Sequence, residues 1–243
     1  EFAGSGDYSL GDSLTVQNTL QFTSGILRTN NQKVKLNGFG QISSYSANQR
    51  TLYLGSSQII TPSWSFTDST KLTVVPGTST ITIDGGWSFD GGSDNYNIVI
   101  IKPNKFGGAV QLSGSNTFNQ LIVEPSTELS IKAGQVQTVT QLSISGKSGA
   151  LVNLHSWTPG IQTEIKKLSG DFCGDYIALK DIKASGANCY AGGSSVNNGG
   201  NTGWNFTSFE ALDQYPSVCE SPVGSGSKTG VNLTSLNSAV NGG

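Results

Sequence analysis

The chain has no methionine, one histidine and three cysteines in 243 residues. Charge is also scarce: 12% of residues are Asp, Glu, Lys or Arg, and they nearly cancel to a net charge of -2. Each shortage removes a class of function. A near-neutral chain offers no electrostatic footprint for nucleic acid or for an anionic membrane surface. No apolar run approaches the ~18 residues of a membrane-spanning helix, so no membrane insertion is expected. With only His155 and no Cys-x-x-Cys spacing, a zinc site of cysteine and histidine is not expected. There is no G-x-S-x-G elbow, and "SGKSG" (145–149) lacks the earlier glycine of a phosphate loop. The opening "EFAGSGDYSLGD" has neither a basic start nor an apolar core, so it does not read as a signal peptide.

What the chain does have is glycine, 32 residues of it, together with abundant Ser, Thr and Asn. Helical periodicity is nearly absent. Short alternating segments recur instead, among them "KVKLNG" (33–38), "KLTVVPG" (71–77), "STITIDGG" (79–86), "YNIVIIKP" (96–103), "NQLIVEP" (119–125), "ELSIKAG" (128–134) and "ALVNLHS" (150–156). Apolar residues at i and i+2 between Gly, Pro, Asn or Ser are the mark of strands with one buried face. Two-residue hairpin signals between matched strands are rare, which disfavours antiparallel meanders. Segments also resemble one another in tandem: "NTFNQLIVEPSTELSIKAG" (116–134) lies over "NTLQFTSGILRTNNQKVKLNG" (18–38). The expected fold is all-β, a single parallel β-helix (β-solenoid) over 1–206, with a β-sandwich as the alternative. Trp204 and Phe206, at the close of "CYAGGSSVNNGGNTGWNF" (189–206), are expected to cap its last turn, because an open strand edge templates further pairing. Residues 207–243 read as an extended tail holding Cys219 and a weak apolar segment (231–240), through which copies of the chain would self-associate into filaments.

Candidate site residues follow from chemistry. The polar composition suits an extracellular or cell-surface setting, where a Cys173–Cys189 disulfide would persist while the odd cysteine stays over. Asp84, Asp90 and Asp94 sit on glycine-rich turns in "DGGWSFDGGSDN" (84–95) and are the weak candidates for a calcium ion; no other cofactor is expected. Trp64, Trp87 and Trp157 are candidate stacking surfaces for a glycan, with Tyr45 and Tyr53 beside them. No residue pair reads as a catalytic centre.

The segments "TLYLGSSQIITPSWSFTDSTKLTVVPGTSTITI" (51–83), "SNTFNQLIVEPSTELSIKAGQVQTVTQLSISGKSGALVNLHSWTPG" (115–160) and "DYIALKDIKASGANCYAGGSSVNNGGNTGWNF" (175–206) resemble the repeats of large secreted and surface proteins of Bacteroidetes-type and uncultured bacteria. The resemblance implies a parallel β-solenoid displayed outside the cell, adhesive or structural rather than enzymatic. Cys189 stands where that pattern carries an aromatic residue, so the resemblance implies that a bridge to Cys173 replaces the ring's packing. The function expected is that of a non-enzymatic surface, adhesive or fibre-forming protein, with a carbohydrate-binding or carbohydrate-active β-helix as the alternative.

Overall fold

Alternation between glycine-rich turns leaves strands of two to eleven residues, and all twenty pairings between them are parallel. The computed structural model describes residues 1–66 and 69–207, and among them there is no helix. Parallel pairing of strands separated by a full turn of chain is the geometry of a β-solenoid, here of about 9 turns. It excludes the sandwich alternative, whose sheets are antiparallel.

Three ladders carry the first four turns. One joins Asp7–Ser9, Gly25–Arg28, Arg50–Tyr53 and Leu72–Val75. A second runs through Leu14–Val16, Val34–Leu36, Gln58–Ser65 and Thr80–Asp90, and on into Asn95–Ile101, Thr117–Val123 and Val136–Ile144. The third runs from Leu20–Gln21 and Gln41–Ser43 into the far halves of Gln58–Ser65 and Thr80–Asp90, then through Val110–Ser113, Glu128–Ile131 and Val152–Ser156 to Ile177–Lys180. Several strands therefore turn a corner without ending: Thr80–Asp90 does so at Gly85-Gly86, and Gln58–Ser65 at Pro62.

The core is made of like on like. Val34, Ile59, Ile81, Val99 and Leu121 stack in register on one face, and Ile42, Trp64, Phe89, Leu112 and Ile131 on the next. Every one of these ten is buried. Trp64, Phe66, Phe89, Tyr96 and Phe118 form a continuous aromatic cluster inside the coil. Its polar atoms are matched: Trp64 Nε1 donates to the Tyr96 hydroxyl at 3.2 Å, which donates to the Gly91 carbonyl at 2.9 Å. Buried Arg50 likewise donates to Ser44 Oγ and to the carbonyls of Ser46 and Asn48.

Corners obey tighter rules than faces. Gly86 has no room for a side chain, since a Cβ there would fall on the carbonyl of Pro62, one turn below. Gly134, at φ +72°, has open space around it. At the far end, Trp204 pairs in parallel with Cys189 and meets Phe172 edge-on at 5.8 Å, while Trp204 and Phe206 both pack half-buried against the core. The cap residues thus work as part of the coil's own last pairing. The tail from 208 onward, with Cys219 and the segment proposed to self-associate, lies outside the described residues.

The two glycines give a paired test. Gly86→Ala forces backbone of one turn away from the next and is expected to cost several kcal/mol, on the order of an overpacked core. Gly134→Ala meets only the left-handed backbone penalty, about 1–2 kcal/mol. Denaturant unfolding of both variants checks the order; equal losses would show that inter-turn spacing at Pro62 is not rigid.

Candidate binding surface

Outward side chains are what a solid coil can offer to a partner. On the second ladder the outward row reads Lys35, Ile60, Thr82, Ile100, Ile122 and Ser143, one residue per turn in continuous register. Its four central members are aliphatic or threonine and half-buried on a flat parallel sheet. At the corner where this face ends stand Phe39, Trp87 and Phe106, which are 73%, 45% and 53% exposed. They come from different turns yet touch. Phe39 and Phe106 stack with centroids 4.9 Å apart and planes at 29°, and Phe106 stacks on Trp87 at 5.7 Å and 9°. Large aromatics at such exposure cost hydration and find only one another for cover, which marks the cluster as an interaction surface.

The segment that carries Phe106 is held down. Lys105 N–H donates to the Gly85 carbonyl at 3.3 Å, and its Nζ lies 3.1 Å from Asp84 Oδ1. Its aliphatic stem lies over Gly85, where a Cβ would collide with it. Phe106 N–H donates to Asn104 Oδ1 at 3.0 Å, while Asn104 Nδ2 is sealed from solvent without a partner.

The expected site residues are distributed differently. Trp64 is fully buried in the core, so it offers no stacking surface. The reason is Pro62: the strand turns a corner there, Thr61 through Trp64 are all buried, and the two-residue alternation is reset. Trp87 is exposed as expected, by the same kind of reset at Gly85-Gly86. Trp157 is 42% exposed, but it follows Val152–Ser156 on a later turn and makes no ring contact with the cluster. Tyr45 is exposed, and Tyr53 is covered by the Arg28 guanidinium 4.2 Å from its ring centre. Phe39 and Phe106 are not among the site residues expected from sequence; "NGFG" (37–40) and "NKFGG" (104–108), each a lone phenylalanine in a glycine turn, are the one local signal that could have found them.

Asp84, Asp90 and Asp94 do not converge. Asp84 and Asp90 lie on opposite sides of the corner in Thr80–Asp90, and Asp84 is taken by Lys105 while Asp90 Oδ1 accepts from Gly92 N–H. Among the described residues no three His, Cys, Asp or Glu side chains gather as metal ligands. Burial pushes the Asp94 carboxyl up to about 6, against the backbone amides of Asn95 and Val74, which favour its charge.

The Cys173–Cys189 bridge is not formed: Cys189 is a free, buried thiol. Register explains it. Phe172 pairs with Cys189 and Cys173 with Tyr190, so Cys189 and Phe172 point into the core while Cys173 is on the other side of its strand. Burial pushes the Cys189 thiol up to about 11. Cys173 is disulfide-bonded to a partner other than Cys189.

A separate cleft of about 140 Å³ is lined by Gly134, Gln135, Val136, Gln162, Thr163, Glu164 and Lys183. It holds one carboxylate, and both oxygens are engaged, by Lys183 Nζ at 3.0 Å and by Ser185 Oγ. Those bonds hold the Glu164 carboxyl below its ordinary range. Glycoside hydrolysis takes two carboxyl groups facing one another, and this cleft does not supply them. His155 sits on the outer face, 3.3 Å from Glu128 Oε1.

No protein-family model, no curated protein and no solved structure matches the chain. The likeness to bacterial surface repeats rests on the quoted segments alone.

Two outcomes follow. Asp94 is harder to ionise folded than unfolded, so its contribution to stability is greatest below about pH 4 and is lost as pH rises through about 6. Asp94→Asn is expected to stabilise the fold at pH 7 by about 1–2 kcal/mol, after discounting for its solvated half, and to flatten the fall between pH 4 and 6. Urea unfolding across that range reads it, and a variant that loses stability at pH 7 would contradict it. For the thiols, Cys189 is expected to resist alkylation until the chain is unfolded, and peptide mapping should recover no Cys173–Cys189 link. Rapid labelling of Cys189 in native protein would contradict the inward register.

Proposed function

We propose that the protein is a non-enzymatic, extracellular β-solenoid that works as a surface adhesin, with the Phe39–Phe106–Trp87 corner as its contact surface. The carrying observation is the three-ring cluster itself: large side chains from three turns meet on the outside of a coil whose inside is already filled. A solenoid gives such a cluster rigidity, because each ring sits on a corner pinned to its neighbours by backbone hydrogen bonds. Rigidity lowers the ordering cost of binding. The half-buried Ile60, Thr82, Ile100 and Ile122 row extends the surface away from the rings along a flat face. The polar, low-charge composition suits a protein that lives outside the cell.

The test is detachment under flow. Beads coated with the protein are sheared over a bacterial biofilm matrix, beside beads coated with albumin. Wild-type beads are expected to hold, and a Phe39→Ala, Trp87→Ala, Phe106→Ala variant with unchanged melting temperature to detach like albumin. Each exposed ring is worth roughly 1 kcal/mol of contact, so together the three substitutions should weaken binding on the order of a hundredfold. A triple variant that holds as firmly as wild type would remove the corner from the proposal.

A further inference from the structure

On the adhesive reading above, we infer that the corner recognises a neutral polysaccharide, its sugar rings lying against Phe39, Phe106 and Trp87. A pyranose has two chemically distinct parts. Its ring faces carry C–H groups and are apolar, while its edge carries hydroxyls that donate and accept hydrogen bonds. A receptor for it needs flat apolar surface with polar groups alongside, and both are present here.

The apolar part is the ledge of three rings, with adjacent planes within 29° and 9° of parallel. The polar part borders it. The Lys105–Asp84 pair stands at the foot of the loop that carries Phe106, with the Lys105 side chain 64% and the Asp84 side chain 32% exposed. An ammonium donates to hydroxyl oxygens and a carboxylate accepts from hydroxyl hydrogens, so the pair serves both sides of a sugar edge. Gly107 and Gly108, both at positive φ, have open space around them, so an extended chain can pass the ring without meeting a side chain.

Charge decides between neutral and acidic glycans. Lys105 is matched by Asp84 at 3.1 Å, and Lys102 approaches Glu124 at 4.0 Å. An acidic polysaccharide finds the two lysines of this loop already paired and would meet Asp84, whereas a neutral one loses nothing. The interleaving of rings with polar groups, on a ledge one loop wide, also favours a sugar chain over a folded protein, whose stable interfaces bury larger and more apolar cores.

The experiment uses the whole chain on four neutral polysaccharides, microcrystalline cellulose, chitin, soluble β-1,3-glucan and xylan, with alginate as the acidic control. Sedimentation reads the insoluble pair and affinity electrophoresis the soluble ones. Retention is expected on at least one neutral polymer and not on alginate. Trp87→Ala and Phe106→Ala should each weaken it about fivefold or more, with unchanged melting temperatures, and Trp157→Ala should leave it unchanged. No retention on any of the four, stronger retention on alginate, or retention indifferent to Trp87 and Phe106 each overturns the inference. Ring-dependent adhesion to the biofilm without retention on the four polymers leaves the adhesive reading standing and points to a protein partner. Retention on a polymer by protein that shows no adhesion would instead remove the adhesive reading and keep the sugar site.

Discussion

Inward side chains in this protein stack on side chains of the same kind one turn away, at the strand spacing of about 4.8 Å. That register is the constraint from which the rest follows. In a β-solenoid the inward side chains of each turn's faces meet across the coil and are buried on those of the turns above and below. Val34, Ile59, Ile81, Val99 and Leu121 stack this way on one face, and Ile42, Trp64, Phe89, Leu112 and Ile131 on another. One residue gained or lost along a face would send its row outward. Corners absorb the irregularities, which is why Pro62, Gly85 and Gly86 stand there and why spacing at Gly86 is so tight.

Filling the coil this way frees its outside from any duty in folding. Most outward positions are then polar, or are paired turn by turn, as Asn97 with Asn119 at 3.1 Å and Arg28 with Asp7. Phe39, Trp87 and Phe106 are different: they are large and apolar, and they touch only on the surface. Nothing in the packing of the core calls for them. The loop that carries Phe106 is nonetheless fixed to the corner of Trp87, through Lys105 to Gly85 and Asp84. A rigid, hydrated apolar cluster on a scaffold that does not need it is best explained by what it contacts.

The fold was largely legible in the sequence, because the two-residue alternation survives wherever a strand stays on one face. All the segments quoted for their alternation, such as "KLTVVPG" and "ELSIKAG", are strands. The surface was harder to read, for the same reason reversed. Trp64 and Trp87 look alike in sequence, each followed by a serine on a strand beside a corner, yet one is core and the other is exposed. What separates them is how Pro62 and Gly85-Gly86 bend the chain, and alternation does not carry across a bend. Cys173 and Cys189 fail as a pair on one residue of register, Phe172 opposite Cys189. Phe39 and Phe106 are 67 positions apart by number and meet because a loop reaches back over intervening turns, a contact with no local trace.

The central claim is that the aromatic corner is the face of the protein that meets its partner. Hydroxyl-radical footprinting of the protein, free and then held on the surface it adheres to, reads that face residue by residue. The account predicts that oxidation of Phe39, Trp87 and Phe106 falls together on binding, while exposed Trp157 and Tyr45 stay as reactive as in the free protein. Protection centred on Trp157 or Tyr45, with Trp87 and Phe106 unchanged, would contradict it.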